Sequence, residues 1–394
     1  MKKAILISVI AIFFSSTAFP QNSYRVPNEI NAIKLTQGHM LHTLSGFGAT
    51  SIAQNSISQI SSGNPASLFD YHDLSFGVSN QFGSKIAQPW GPEAIDIAYK
   101  QANYFLPHSV GILLPKKVFR LGFGFAQKYN SILEYEDMNE AFDKTVIFGF
   151  SSILSYSFQN LISNDLFNMG MRFDIDRMDY ASKIWHAKLK VQDYSNSWSV
   201  GARYDIKLGS SLKVILGSFF DKGPRFETRG SYSGLQILYP EDFLPDYPGK
   251  GSEEKIIIPQ YSIKAELPNK LHFGFLVGFK NTIDLAMQFI KVYWNQVDKT
   301  YNNNTDISGS IICRPHKKLT ASIGFISNEK KSDILIYFPV ILDDNLKAFF
   351  ITGGLVFHLK KIDVGFSYAN SNNSESGEWY KQSIGKIELG YYFR

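Results

Sequence analysis

The sequence predicts an all-β protein, a 14-stranded antiparallel transmembrane β-barrel. Three observations predict it. From residue 72 onward apolar residues recur at every second position, as on a strand with one apolar face. The connections between these stretches alternate between short and long. Beyond the first twenty or so residues, no apolar run approaches the ~18 residues that a membrane-spanning helix needs.

Composition narrows the classes before any motif is read. The chain has 394 residues, with 40 Lys and Arg against 35 Asp and Glu, a formal charge of +5. That balance is too even to argue for nucleic acid as a partner. There are 32 Phe and 21 Tyr but one cysteine, Cys313, so no intramolecular disulfide forms and multi-cysteine metal sites are excluded. Cys313 reads as a small packing residue.

Met1 to Ala18 read as a secretory signal: Lys2 and Lys3, an apolar core from Ala4 to Phe14, then Ser16-Thr17-Ala18 with small residues before the cleavage point. Removal of Lys2 and Lys3 takes the formal charge from +5 to +3. The 11-residue core is too short for an anchor. Export leaves the periplasm, the outer membrane or the exterior, and the absence of a cysteine after the leader excludes lipid attachment there.

Residues 19–71 do not alternate. They are rich in Ser, Ala, Gly and Asn and close on Gly63-Asn64-Pro65-Ala66-Ser67-Leu68. Small residues let a segment pack in a confined space, and Asn-Pro ends any helix before it.

Residues 72–394 carry the alternation. In Leu166 to Asp176, Phe167, Met169, Met171, Phe173 and Ile175 share one face and Asn168, Gly170, Arg172, Asp174 and Asp176 the other. In Ser197 to Lys207, Trp198, Val200, Ala202, Tyr204 and Ile206 oppose Ser199, Gly201, Arg203, Asp205 and Lys207. Leu271 to Lys280 follows the same rule with Leu276 as its one mismatch, and the last strand alternates Ile387, Leu389, Tyr391 and Phe393 with Lys386, Glu388 and Gly390. Fourteen segments result, near 72–82, 106–114, 118–128, 145–158, 166–178, 196–207, 211–221, 270–280, 282–295, 304–315, 317–328, 347–359, 360–371 and 382–393. In the ninth, Ile290, Val292 and Trp294 fall out of phase with Ile283, Leu285, Met287 and Phe289, which a β-bulge or departure from the bilayer explains. Long connections fall near 83–105, 129–144, 179–195, 222–269, 296–303, 329–346 and 372–381.

Alternation alone does not say which face is inside, and a soluble sandwich or propeller shows the same period. The aromatic apolar faces, the short and long connections at opposite ends, and a final strand with penultimate Phe393 favour the membrane barrel. In lipid an unpaired N–H or C=O costs several kcal/mol, so the sheet must close on itself. The polar faces then line the lumen, where Arg172, Asp174, Asp176, Arg203 and Asp205 pair or stay hydrated, bracing the wall or, in a sharper reading, marking a charged path.

Asn64-Pro65-Ala66-Ser67-Leu68 resembles the Asn-Pro-Ala-Gly-Leu motif of the FadL-type outer-membrane transport family, with Ser67 at the usual glycine. Leu121-Gly122-Phe123-Gly124-Phe125 is similar to that family's glycine-rich third strand, and the likeness continues through Glu266-Leu267-Pro268 and Tyr293-Trp294. The resemblance implies a hatch formed by residues 19–71 inside the barrel, with Asn64, Pro65 and Ala66 as its motif. It implies passive transport of long-chain fatty acids or other hydrophobic compounds in the outer membrane of a Gram-negative bacterium. It also implies a sideways exit at a third-strand kink, for which Gly122 and Gly124 are candidates; the alternative is that these glycines only make room for the hatch. Expected partners are outer-membrane lipids, a hydrophobic small-molecule substrate and the barrel-assembly machinery.

Catalytic and metal chemistry is not expected. His39 and His42 lack a neighbouring carboxylate or cysteine ligand, no GxSxG elbow occurs, and no cofactor is implied. Glu134, Glu136, Asp137 and Glu140 read as a solvated loop. Two functions remain: a channel for hydrophobic compounds, or a FadL-like barrel serving as scaffold or shuttle component of a protein secretion system through its external loops, 222–269 above all.

Overall fold

The computed structural model describes residues 29–30, 44–51, 56–87, 99–135, 142–159, 165–184, 187–235, 256–297, 299, 302–330, 346–371 and 380–393. The expected leader, the His39–His42 pair and Glu136, Asp137 and Glu140 lie outside the described residues. The strands are β1 (Glu29–Ile30), β2 (Leu74–Ala87), β3 (Tyr99–Pro115), β4 (Phe119–Tyr135), β5 (Phe142–Gln159), β6 (Leu166–Ile184), β7 (Ala187–Leu208), β8 (Leu212–Lys222) and β9 (Arg225–Leu235). They continue with β10 (Ile256–Glu266), β11 (Asn269–Phe279), β12 (Ile283–Tyr293), β13 (Asn304–His316), β14 (Leu319–Lys330), β15 (Leu346–His358), β16 (Ile362–Ser371) and β17 (Tyr380–Phe393).

Fourteen strands, β2 to β8 and β11 to β17, form one closed antiparallel barrel. The first meets the last, with Leu74 opposite Phe393, and β8 meets β11, so the barrel closes on itself. Each of the fourteen segments expected from the sequence corresponds to one of these strands.

The alternation now has a direction. Phe173, Ile175, Ile323 and Ile351 are 57–62% exposed on the outer surface, whereas Arg172, Asp174 and Asp176 on the same stretch of β6 are at most 3% exposed. The apolar rows therefore face outward and the polar rows inward, opposite to a soluble β-protein with an apolar centre. The mismatch Leu276 points inward and packs with Ile215, Phe219 and Ala286.

The structure corrects the expected loops in four places. At 83–105 and 129–144 strand takes most of the connection, since β2 runs to Ala87, β3 starts at Tyr99, β4 runs to Tyr135 and so contains Glu134, and β5 starts at Phe142. The connection expected at 179–195 is strand: β6 and β7 run on to Ile184 and Ala187 with continuous pairing. Outward Arg177 and Asp179, paired at 3.1 Å, replace the apolar row that ends at Ile175, and the apolar residues pass to the inner face at Met178, Tyr180 and Val191, so the alternation changes face within the strand. The connection expected at 222–269 contains β9 and β10, which pair with each other and, through β10, with β1. The phase change in β12 is no bulge, since its pairing with both neighbours is regular; Val292 and Trp294 occupy inward positions and are buried.

Candidate functional site

Residues 44–51 and 56–71 occupy the bore. Their partners come from all around the wall: Ala49 N–H donates to Ser310 Oγ on β13 (3.0 Å), Ser51 N–H to Gln288 Oε1 on β12 (2.8 Å), and Lys386 Nζ on β17 donates to the Leu44 carbonyl (3.0 Å). Glu388 accepts from Gly46 N–H (3.4 Å) and Ser56 Oγ (3.2 Å). On the opposite wall Arg172 Nη1 donates to the Gly63 carbonyl (3.0 Å), and Ser155 donates to the Pro65 carbonyl. A chain buried in this way needs such partners, because an unsatisfied buried backbone group costs about 1–3 kcal/mol.

Small residues give the segment its fit. Gly48 has φ +113°, a region that L side chains rarely adopt, and closes a tight turn with Ser45 through two 3.0 Å backbone hydrogen bonds. Asn64 caps the 3-10 turn Pro65–Asp70: its Oδ1 accepts from Ala66 N–H (3.0 Å), while its Nδ2 donates to the Ala202 carbonyl of β7 (3.1 Å). Pro65 holds the first position of that turn with its φ preset. Ala66 is fully buried.

The charged residues expected to face inward do so, and they are paired. Arg203 lies between Asp70 of the internal segment (2.6 Å) and Asp205 (2.7 Å). Arg172 contacts Asp174 (3.1 Å) and Asp221 (2.8 Å), and Ser199 bridges Arg172 to Asp221. Asp174 and Asp176 both contact Lys128 Nζ, at 2.8 and 2.7 Å, and Ser197 joins the same cluster. Sequence reading did not single out Lys128, Asp221 or Asp70. Lys128 carried a signal nonetheless, because it continues the inward phase of Arg120, Gly122, Gly124 and Ala126.

The polarity of the inner face changes toward the long-loop end. Just beyond the charged layer a row of buried residues crosses three adjacent strands: Tyr129 of β4 faces Ile147 of β5, which faces Met178 of β6. Tyr180 and Val191 form the next pair on β6 and β7, and Val292 of β12 and Trp294, which opens the 3-10 turn just after it, are buried. At the same height the outer face carries Arg177 and Asp179. The belt is thus apolar outside and polar inside, and the layer beyond it is the reverse.

The wall is interrupted beside that apolar layer. Strands β3 and β4 pair from Ser109↔Ala126 down to Pro115↔Arg120 and again at Tyr99↔Tyr135 and Lys100↔Glu134, with no pairs between. Each flanking strand carries an extra residue where this seam begins: His108 on β3, between the partners of Ser79 and Asn80, and Lys128 on β4, between the partners of Phe148 and Ile147. Pro107, lacking an N–H, sits beside the first of these bulges.

The kink expected at Gly122 and Gly124 is therefore not at those positions. Both pair regularly with Leu113 and Gly111. A Cβ on Gly122 would come within 3.3 Å of Leu68, and one on Gly124 would overlap Ser61, so both glycines leave room for the internal segment. Among the described residues no group of three His, Cys, Asp or Glu could hold a metal ion.

No family model matches the sequence. No curated protein matches it either. Solved structures share the fold at low identity. A Pseudomonas aeruginosa FadL homologue is 13% identical and superposes with a TM-score of 0.63 over 91% of this chain and 99% of that one. The Pseudomonas putida toluene transporter TodX is 13% identical (TM-score 0.62; 89% and 97% covered), and the Ralstonia pickettii toluene transporter TbuX is 10% identical (TM-score 0.62; 89% and 97% covered).

Proposed function

We propose that this barrel is an outer-membrane channel for passive uptake of hydrophobic compounds. One observation carries the reading: a buried apolar layer, Tyr129, Ile147 and Met178, lies beside the unpaired seam between β3 and β4. A greasy solute entering from the long-loop end meets that layer first. The charged layer and the internal segment lie below it and block a straight route through the bore. The seam begins at the upper edge of the apolar belt, one step past Val110↔Phe125, and its lower end offers a sideways exit into lipid, where an apolar solute is favoured by about 25 cal/mol for each Å² removed from water.

Residues 44–51 and 56–71 act in this reading as part of the hatch, with Asn64, Pro65 and Ala66 fixing its final turn. The apolar belt sits among outer-membrane lipids after insertion by the barrel-assembly machinery. Long-chain fatty acids and monoaromatic hydrocarbons are the two kinds of solute to compare, the second because the similar solved structures include toluene transporters. The scaffold reading for secretion is served equally well by a filled bore, but it has no use for a seam beside an apolar layer.

The test is uptake of radiolabelled toluene and sucrose by Gram-negative cells whose own hydrophobic channels are deleted, with and without this protein. Toluene uptake is expected to rise at least fivefold while sucrose does not. Equal toluene uptake with and without the protein would leave the scaffold reading.

A further inference from the structure

The layer beneath the apolar row determines what kind of head group a solute can carry. Three cations of the bore, Lys128, Arg172 and Arg203, contact five carboxylates: Asp70, Asp174, Asp176, Asp205 and Asp221. Lys128 decides the matter, because it stands at the bulge where the seam begins and directly precedes Tyr129 of the apolar row. Its ammonium is held by Asp174 at 2.8 Å, Asp176 at 2.7 Å and Ser197 at 2.6 Å. Gly149 leaves the space for it, since a Cβ there would fall 2.5 Å from Lys128 Cε and 2.8 Å from Asp176 Oδ1. The ammonium donates hydrogen bonds to Asp174 and Ser197 and lies in ion-pair contact with Asp176.

Arg172 is engaged in the same way, by Asp174, Asp221, Ser199 and the Gly63 carbonyl. Beyond it, His272 Nε2 lies 3.4 Å from the other oxygen of Asp221, and Lys270 of β11, paired in register with Asp221, faces the same cluster together with Asp306. A carboxylate arriving at this floor meets two aspartates for the one lysine and would have to displace one of them. An uncharged solute makes no such demand, because it stays in the apolar layer and leaves by the seam. Discrimination of this kind rests on a repulsive element aimed at the wrong solute.

Resting on the channel reading above, we propose that the protein admits uncharged hydrophobic molecules and rejects the carboxylate form of a fatty acid. The seam-side selectivity residues are Asp174 and Asp176, acting through Lys128. An alcohol, an ester or a hydrocarbon of suitable size passes, and a free acid passes only when protonated.

The experiment uses the full chain in Gram-negative cells deleted for their own hydrophobic channels, at pH 8, with radiolabelled oleyl alcohol and oleate as probes of equal chain length. Oleyl alcohol uptake is expected to rise at least fivefold over cells without the protein, and oleate uptake less than twofold. The Asp174→Asn, Asp176→Asn double variant, checked for folding by heat-modifiable migration on a gel, is expected to raise the oleate-to-alcohol ratio at least threefold. Equal uptake of the two probes by the wild-type protein overturns the selectivity and leaves the channel reading intact. No uptake of either overturns both. An unchanged ratio in a folded double variant overturns the role of the aspartates, and should that variant not fold, the wild-type comparison decides alone.

Discussion

The Arg203 guanidinium on β7 reaches the Asp70 carboxylate at 2.6 Å and so ties the last residue of the internal 3-10 turn to the barrel wall. Arg203 is almost wholly buried and shares its charge with Asp205. Removing one member of a buried pair leaves the other charge uncompensated, which typically costs about 3–5 kcal/mol. Arg203→Met is therefore expected to loosen residues 64–70 selectively. Hydrogen exchange in detergent checks this: those amides should exchange at least a hundredfold faster, while the paired amides of β6 stay protected.

Asn64 gives a finer control on the same turn. Asn64→Ala loses the cap on Ala66 N–H and the bond to the Ala202 carbonyl, while Asn64→Asp keeps the cap alone. Loss of such a cap costs about 1 kcal/mol. The alanine variant is expected to speed exchange of the Ala66 amide more than the aspartate variant does. Equal rates in the two would show that the cap contributes nothing.

The outward belt predicts a depth-dependent cost for charge. Phe173 stands within the exposed apolar row of β6, whereas Leu208 borders a short turn. Arginine at mid-belt should destabilise the folded barrel by about 2–4 kcal/mol, and arginine near an edge by about 0–1 kcal/mol. Urea titration of folding into lipid vesicles, comparing Phe173→Arg with Leu208→Arg, measures the difference. Equal costs would contradict a lipid-facing belt.

The strand count was legible because a lipid-facing row and a lumen-facing row impose period 2 on each crossing, as in β6 and β7. Above Ile175 the alternation changes face: the outward positions turn to Arg177 and Asp179 while Met178, Tyr180 and Val191 turn inward, so the outward apolar row that marks the strand stops although β6 and β7 continue. The phase change at Ile290, Val292 and Trp294 in β12 was visible in the sequence, and its cause is the apolar inner layer rather than a bulge. Gly122 and Gly124 stood out as glycines in a strand, but only the neighbouring Leu68 and Ser61 tell why they are there. The seam left no comparable trace. It accompanies extra residues on two strands, His108 and one between Gln101 and Tyr104 on β3 and Lys128 on β4, and an insertion of one residue is invisible without the partner's register.

That register allows the most direct test of the seam as an exit. The paired stretches of β3 and β4 on its two sides, Ser109↔Ala126 and Lys100↔Glu134, are out of step by one residue. Deleting His108 removes one extra residue of β3, brings the two stretches into one register and also evens the pairing of Ser79 and Asn80 of β2 with β3. Toluene uptake by cells carrying the deletion is the measurement, with heat-modifiable migration confirming a folded barrel at the wild-type amount. A closed seam should lower the uptake at least tenfold; uptake at the wild-type rate through a folded deletion variant would contradict lateral exit between β3 and β4.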